Sequence, residues 1–329
     1  MRRIFSLLAT VLVLTGLVSC SGGPKKALLP NVSGKAGEVI VVIEKNDWEG
    51  ALGNEVRELL AADCPWLYIR EPLYSVVNVA PGGFADLFKI HRNIVIFQID
   101  PQIANPGLLV KNDVWAAPQV IVQISGHDAD EALSILKEKG QTVVSAIEQA
   151  ERDRVIQNTM LYEESTIAKE VKEVIGGSPH FPSGYKLKTK TDDFVWVADV
   201  KQYTQQGVFI YKYPALPEDN FTMENIIAKR NEVLQANVPG MFDNTYMTTA
   251  EYITPTVQFV KYKGREFAET RGYWEVHRDY MGGPFVSHSF YSHDGSEIIV
   301  VEAFVYAPRY DKRQYLRQVE SLLYSFEWK

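Results

Sequence analysis

The chain has 329 residues, of which 46% are hydrophobic and 23% are charged, and its formal net charge is −7. This composition excludes a disordered or collagen-like chain, and the length suffices for about two domains with separate cores. Since 41 acidic residues outnumber 34 basic ones and neither sign forms a long block, the sequence does not favour a nucleic-acid partner.

Residues 1–19 have the pattern of an export signal. Arg2 and Arg3 precede an apolar run over residues 4–18, which is shorter than a membrane-spanning helix. The run ends in Leu17-Val18-Ser19-Cys20, a pattern typical of the cleavage site of bacterial lipoproteins. We therefore expect cleavage before Cys20 and lipidation of its side chain, with the acyl chains as the membrane anchor. A conventional secretory signal followed by a chance cysteine is the alternative.

The residues after Cys20 indicate where the anchored protein goes. Residues 20–37 are rich in glycine and proline and are predicted to form a flexible, lipidated tether. Ser21 stands where an aspartate would favour retention in the inner membrane, so we expect the outer membrane. Lys25 and Lys26 stand where surface-displayed lipoproteins usually carry acidic residues. The periplasmic face is therefore favoured, with the cell surface as the alternative.

Cys64 is the only cysteine besides Cys20. Once Cys20 is acylated, an intrachain disulfide is excluded. We expect Cys64 to be a buried packing residue, since free cysteines are among the residues most often buried. An intermolecular disulfide and a catalytic thiol are the alternatives.

The first half of the mature chain, residues 38–177, is predicted to be an α/β domain that ends in a long helix. Its opening strand is a continuous β-branched run, typical of a strand that is covered on both faces. Strands are predicted over residues 38–44, 66–69, 73–79, 93–99, 110–115 and 119–124, and helices over residues 47–62, 84–90 and 128–175, the last with a break near Gly140.

Gly176-Gly177-Ser178-Pro179 ends the helical pattern and is the predicted domain boundary. Residues 178–329 are predicted to form an α+β domain with an antiparallel sheet that folds alone. Strands are predicted over residues 185–189, 194–200, 207–213, 256–262, 265–278, 285–293 and 297–306. Helices are predicted over residues 223–237, capped by Asn220 or Thr222, and 312–326, capped by Asp311. The predicted core residues are Val195, Val197, Phe209, Val257, Phe259, Ile299 and Val301.

The fold class predicted for the whole chain is therefore α+β. It comprises two α/β halves with largely antiparallel sheets covered by helices, joined by a long helical segment. The cleavage pattern, the opening strand, the junctions Glu71-Pro72 and Asp100-Pro101 and the closing residues 306–312 together resemble an uncharacterised lipoprotein family of Bacteroides-type bacteria, a domain of unknown function. The resemblance covers nearly all of the mature chain and implies no established activity or catalytic residue.

The second half also resembles the PsbP-like α/β/α sandwich. Phe221 opens a predicted helix, Asp294-Gly295 turns a hairpin, and Pro308 precedes the last helix. This resemblance implies a binding or assembly factor.

One cluster of polar residues is a candidate binding or metal site. If residues 280–283 form the loop of a hairpin, Glu275 pairs with His288, and Glu275, His277, Asp279 and His288 share one face of the sheet. Two histidines and a carboxylate could bind zinc, although a solvated strand face has the same composition and a one-residue change of register separates the histidines.

The sequence contains no Walker A loop, His-Glu-x-x-His, Gly-x-Ser-x-Gly or Cys-x-x-Cys motif. We therefore predict no catalytic residues and no cofactor, and we interpret the protein as a non-catalytic envelope binding or assembly factor. Its expected partners are the membrane, through Cys20, and an envelope protein or glycan. Exposed members of the 17 Tyr, 15 Phe and 6 Trp could stack on sugar rings or contact a partner. A periplasmic hydrolase acting on peptidoglycan or glycan is the alternative.

Overall fold

A computed structural model describes residues 28–217 and 219–329. Cys20 and the predicted export signal lie outside the described residues. The structure has two main sheets with helices packed on them, and the α+β class is confirmed. Within the part of the chain that the structure describes, no helix is long and apolar enough to cross a membrane.

The first sheet has five strands in the order β2-β1-β3-β5-β4, and all neighbours are parallel except β4 and β5. The opening strand is covered on both faces, as its sequence predicts: Val39 and Val41 contact one apolar cluster, and Ile40 and Val42 contact another. The strands are β1 Glu38–Val42, β2 Ser75–Val79, β3 Asn93–Ile99, β4 Gly107–Asn112 and β5 Val120–Gly126; the helices are α1 Lys45–Glu49, α2 Ala51–Leu60 and α3 Asp86–Lys89.

The predicted long helix is two helices, α4 Ala129–Leu161 and α5 Ser165–Ile175. The Asp128 side chain caps α4 by accepting the N–H of Glu131 at 2.8 Å. The helix does not break at Gly140. That glycine lets α4 approach α2 closely, since a Cβ there would lie 3.1 Å from a methyl carbon of Leu59.

The second sheet has the order β10-β12-β13-β14-β9-β8-β7, with β11 also paired to β12, and its strand pairs are antiparallel. Helices α5 and α7 cover one face and α6 the other. The strands are β7 Lys186–Lys190, β8 Phe194–Lys201, β9 Thr204–Pro214, β10 Met247–Thr249, β11 Thr256–Tyr262, β12 Arg265–Val276, β13 Gly282–Tyr291 and β14 Glu297–Tyr306; the helices are α6 Met223–Asn237 and α7 Arg313–Tyr324.

Five of the seven predicted core residues of this half are fully buried. They are Val195, Val197, Phe209, Ile299 and Val301. Val257 is only half-buried, and Phe259 is 77% exposed. Both lie on β11, which pairs with β12 alone and forms an edge of the sheet.

Helix α5 belongs to the core of the second sheet. Ile167, Val171 and Ile175 pack in the same cluster as Val197 and Leu323. We expected the helical segment to pack mostly on the first half. This holds for α4, whose apolar face lies in the first core, but not for α5. A two-stranded sheet of β6 Gly177–Ser178 and β15 Glu327–Trp328 links the end of α5 to the C-terminus.

An ion pair lies buried beneath α6. Arg230 donates from Nε to Glu302 Oε2 at 2.9 Å and from Nη2 to Glu302 Oε1 at 2.7 Å. Neither side chain is accessible to solvent. The guanidinium also donates to Thr249 and stacks on Phe285, so both charged groups are satisfied in the core.

Candidate functional site

The structure contradicts the strand pairing on which the predicted polar cluster depends. That cluster comprises Glu275, His277, Asp279 and His288. His288 pairs with Glu269, and Glu275 pairs with Gly282. The hairpin turns earlier than predicted, because the N–H of Asp279 donates to the carbonyl of Val276 at 3.0 Å. Among the described residues, no group of three or more His, Cys, Asp or Glu side chains is placed to hold a metal ion.

His288 lies instead in a buried polar network under α7. Its ring stacks on Phe267 with centroids 4.0 Å apart, and its Nε2 lies 3.5 Å from Glu269 Oε2. Glu269 accepts bonds from Arg271 Nε and from the Tyr324 hydroxyl, both at 2.8 Å. Burial lowers the pKa of His288 to about 4. Because Glu269 and His288 are both inaccessible to solvent, we interpret the network as structural.

The structure brings tyrosines from both halves together around a cleft of about 760 Å³, here called the tyrosine cleft. Tyr68 comes from the loop between α2 and β2, and Tyr252 from the loop between β10 and β11. The lining residues are Tyr68, Tyr252, Tyr273, Glu275, Asp279, Tyr280, Met281, Gly282, Tyr306, Pro308 and Lys312.

Three of these tyrosines contact one another. Ring centroids are 6.2 Å apart for Tyr68 and Tyr252, 6.4 Å for Tyr68 and Tyr273, and 6.0 Å for Tyr252 and Tyr273. Tyr273 is buried at the base, whereas Tyr68 and Tyr252 are 71% and 60% exposed. The buried ring therefore supports two aromatic side chains that face solvent.

The hydroxyls of Tyr252 and Tyr273 remain protonated at neutral pH. Burial raises the pKa of Tyr273 to about 12, with further contributions from Tyr252 and Tyr68. Burial also raises the pKa of Tyr252, and the nearby Glu275 carboxylate acts in the same direction. Each of these two hydroxyls can therefore both donate and accept a hydrogen bond.

The cleft is built on backbone that the second sheet positions. The N–H of Ala250 donates to the carbonyl of Tyr273 at 2.8 Å, which ties the Tyr252 loop to β12. The Asp279 carboxylate accepts the N–H of Tyr280 at 2.7 Å in the hairpin turn. Tyr280 itself is fully exposed at the tip of this turn.

A second concave surface of about 680 Å³, here called the polar groove, adjoins the cleft. Glu275 lines both, so the two concavities share this residue. In the groove, Tyr246 stacks on His277 with centroids 4.9 Å apart. Thr248 and Asn231 also line it. Of the four residues in the predicted cluster, Glu275, His277 and Asp279 line these concavities, although not in the predicted arrangement, and His288 lines neither.

Sequence reasoning missed the tyrosines of the cleft. The sequence predicts a strand over residues 66–69, but these residues form a loop in which Trp66 has a left-handed φ of 59°. Arg271 lies over the Trp66 ring at 5.5 Å, so the second half helps to hold this loop. The only available signal was the number of tyrosines in the chain, which does not say which of them are exposed.

A third concavity, of about 360 Å³, lies between the two halves and is rich in charged side chains. These side chains mostly bind one another. Arg92 donates to Glu151 at 2.7 Å, and Lys201 pairs with Asp199 at 2.9 Å. We interpret this concavity as part of the junction between the halves and not as the ligand site.

Comparison with protein families divides the chain in two. Residues 164–325 match the model of a domain of unknown function, DUF4837, and residues 32–160 match that of a second domain of unknown function, DUF8532. No curated protein matches the chain.

Solved structures resemble parts of the chain with low scores. The Ran-binding protein Mog1p of Saccharomyces cerevisiae has a TM-score of 0.31 and 8% identity, over 46% of this chain and 90% of that one. A mutant of the protein Mog1 has a TM-score of 0.30 and 6% identity, over 46% and 90%. A Bacteroides thetaiotaomicron protein has a TM-score of 0.26 and 11% identity, over 47% of this chain and 45% of that one.

Proposed function

We propose that this protein is a lipid-anchored binding protein of the cell envelope that faces the periplasm and takes its ligand in the tyrosine cleft. The anchor rests on the cleavage pattern that ends in Cys20 and on the absence of acidic residues just after it. The ligand would be an envelope protein or a glycan. The contact among Tyr68, Tyr252 and Tyr273 carries the proposal for the site.

The exposure of the cleft tyrosines supports a binding role. Two large aromatic side chains, Tyr68 and Tyr252, are more than half exposed and lie in contact at the edge of a cleft. Tyrosine is enriched where proteins bind ligands, because its ring contributes apolar contact and its hydroxyl contributes a hydrogen bond. Supporting such rings on the buried Tyr273 fixes their positions before a ligand arrives, which reduces the entropic cost of binding.

Glycan hydrolysis is a second candidate function. It is favoured by the two carboxylates, Glu275 and Asp279, that line the same cleft, because glycosidases usually use a carboxylate pair. Asp279, however, is engaged by the backbone of its own turn. His288, whose pKa is lowered by burial, is itself buried and does not line the cleft. These observations favour binding over catalysis.

Site-specific photocrosslinking in intact cells tests the proposal. A photoreactive residue replaces Tyr252 in the full-length protein, and the matched control replaces Tyr162, which is 64% exposed and lines neither the cleft nor the groove. We expect a reproducible adduct with an envelope component from position 252 and none from position 162. Equal adducts at both positions, or turnover of a cell-wall glycan that Glu275→Gln abolishes, would contradict the binding role.

The anchor and its orientation are tested separately by fractionation. The Cys20→Ala variant should leave the membrane fraction, because the acyl chains are the proposed anchor. If that variant still sediments with membranes after a high-salt wash, the anchor is elsewhere. Protease added to intact cells should spare the unaltered protein, and rapid digestion would indicate display on the cell surface.

A further inference from the structure

We propose that the tyrosine cleft and the polar groove form one continuous site for a neutral polysaccharide chain, which crosses from one to the other at Glu275. This inference deepens the proposed function by naming the ligand class, and it rests on the cleft being the binding site. It is carried by the continuity of the two concavities, their aromatic surfaces and their charge.

The continuity follows from two structural elements that both concavities share. Glu275 on β12 lines both of them. The loop between β10 and β11 also contributes to both, with Tyr252 in the cleft and Glu251 in the groove. Each concavity alone falls within the range of about 300–1,000 Å³ that accommodates a drug-sized ligand. A ligand that fills both must therefore be extended, as a chain of several sugar units is.

The aromatic side chains suit sugar rings. Tyr68 and Tyr252 meet edge to face, with ring planes 82° apart, so their faces point in different directions. A sugar ring has apolar C–H faces that pack on such an aromatic face, while its hydroxyl groups lie around the edge. The stacked pair of Tyr246 and His277 provides a second aromatic surface at the other end, in the groove.

Hydrogen-bonding groups lie between and around these aromatic surfaces. The carboxylates of Glu275 and Asp279 accept hydrogen bonds and suit hydroxyl donors. Thr248, which pairs with Glu275 across the two strands, adds a hydroxyl in the groove. A polyhydroxylated chain provides donors and acceptors along its whole length, which matches this distribution better than an apolar ligand would.

The charge of the site selects among glycans. The two concavities are lined by four carboxylates and by one lysine side chain, that of Lys312. The carboxylates belong to Glu224, Glu251, Glu275 and Asp279. This excess of negative charge repels uronate-rich or phosphorylated chains. The site therefore favours a neutral polysaccharide over an acidic one.

Isothermal titration calorimetry on the mature full-length protein tests this inference. The probes are neutral hexasaccharides of β-1,4-linked N-acetylglucosamine, glucose, xylose or mannose, the matching disaccharides, and a polygalacturonate hexamer as the acidic comparison. At least one neutral hexamer should bind about tenfold more tightly than its own dimer, because the dimer fills one concavity only. The acidic hexamer should bind more weakly than that neutral hexamer.

Variants identify the two ends of the site. Tyr252→Ala should weaken binding of the hexamer about tenfold through loss of the aromatic contact, whereas Tyr252→Phe, which keeps the ring, should largely retain it. Tyr246→Ala should reduce the affinity for the hexamer towards that for the dimer. Tyr162→Ala, at an exposed tyrosine outside both concavities, should change nothing. Circular dichroism and the melting temperature establish that each variant is folded.

Failure of the inference differs from failure of the proposed function. If none of the neutral hexamers binds, if hexamer and dimer bind equally, or if the acidic hexamer binds as well, the polysaccharide site is wrong. A protein adduct from the photoreactive residue at position 252, together with no sugar binding, would overturn this inference and leave the proposed binding role intact. Absence of any specific adduct at position 252 would count against the proposed function itself.

Discussion

The carboxylate of Glu71 accepts the backbone N–H of Lys312 at 2.7 Å, across 241 residues of chain. Its other oxygen accepts the N–H of Arg313 at 2.8 Å. Lys312 is the N-cap residue of α7, and no side chain of its own segment caps that helix. The predicted cap by Asp311 is therefore wrong, and a residue of the first half satisfies the free N–H groups of a helix in the second.

Removing this cap should destabilise the junction between the halves. We expect Glu71→Ala to lower the free energy of unfolding by about 1–2 kcal/mol, since it leaves two N–H groups without their acceptor and removes a negative charge from a helix N-terminus. Urea denaturation measures the change. Glu58→Ala, at an exposed position of α2, is the control, and an equal effect of both substitutions would contradict the role of Glu71.

The buried pair of Arg230 and Glu302 should behave cooperatively. Glu302→Ala leaves the Arg230 guanidinium buried without its counter-charge, and we expect a loss of about 3–5 kcal/mol. The double substitution Arg230→Met with Glu302→Leu removes both charges and should cost less than Glu302→Ala alone. A double-mutant cycle of Arg230→Met and Glu302→Leu, each alone and both combined, measured by chemical denaturation provides the test. Additive single effects would show that the two side chains do not depend on each other.

Much of the second half could be predicted from its sequence because its signals are local. The alternating apolar strands and their glycine turns predict β11 and β14 with the observed bounds, and Thr222, one of the two predicted caps, caps α6. The turn between β12 and β13 is misplaced in the prediction because Gly282-Gly283 resembles a loop in sequence. In the structure Gly283 fits a strand position, where a Cβ would meet the carbonyl oxygen of Val305. Such a close approach is a tertiary contact between strands, and it leaves no periodic pattern in the sequence.

The tyrosine cleft could not be predicted because its parts are remote in sequence. Tyr68 meets Tyr252 and Tyr273 only after the two halves have packed. Hydrophobic periodicity describes which face of one element is covered and says nothing about contacts between loops. The end of α4 at Leu161 was not predicted for a related reason. Helix α5 leaves the direction of α4 because its apolar residues, such as Val171, pack in the core of the second sheet.

Acid should weaken the fold through His288. In the unfolded chain its pKa returns to the ordinary value of 6.5, whereas burial holds it at about 4 in the folded protein, beside Glu269, Arg265 and Arg271. The unfolded state therefore binds more protons between these values. Stability is fully present above pH 6.5 and falls as the pH decreases towards 4, by on the order of 3 kcal/mol from this group.

Unfolding measured by denaturant at pH values from 7 to 4.5 tests the contribution of His288. His288→Phe keeps a ring against Phe267 but cannot titrate, so it should flatten the pH dependence. His293→Phe, at an exposed position, should leave the slope unchanged. A slope in the His288→Phe variant as steep as that of the unaltered protein would assign the acid sensitivity to other groups.

The core position of α5 predicts how fragments of the second half will behave. A fragment of residues 164–329 retains α5, whereas one of residues 178–329 loses Ile167, Ala168, Val171 and Ile175 from the core. We expect the longer fragment to be more stable, by on the order of 5 kcal/mol. Thermal unfolding of both fragments measures the difference. Equal midpoints would show that the second sheet folds without this helix.

Cys64 should react slowly in the folded protein. The structure leaves Cys64 half-buried and not fully buried as expected. This partial burial raises the pKa of its thiol from 9.0 to about 11, which lowers the fraction of reactive thiolate at neutral pH by about a hundredfold. The rate of reaction with Ellman's reagent at pH 7.5 should therefore increase strongly when urea unfolds the chain. A rapid reaction in native buffer would instead indicate an accessible, activated thiol.

The cap on α7 also determines when folding can finish. A ribosome makes Glu71 long before Lys312 and Arg313 exist, so the first sheet can condense while its partner is still being synthesised. Contacts between residues this distant in sequence form slowly, because closing a long loop costs entropy before any contact compensates for it. The first half can therefore become compact early, whereas the second core, which includes α7, and the joint between the halves form only after the last helix has been made.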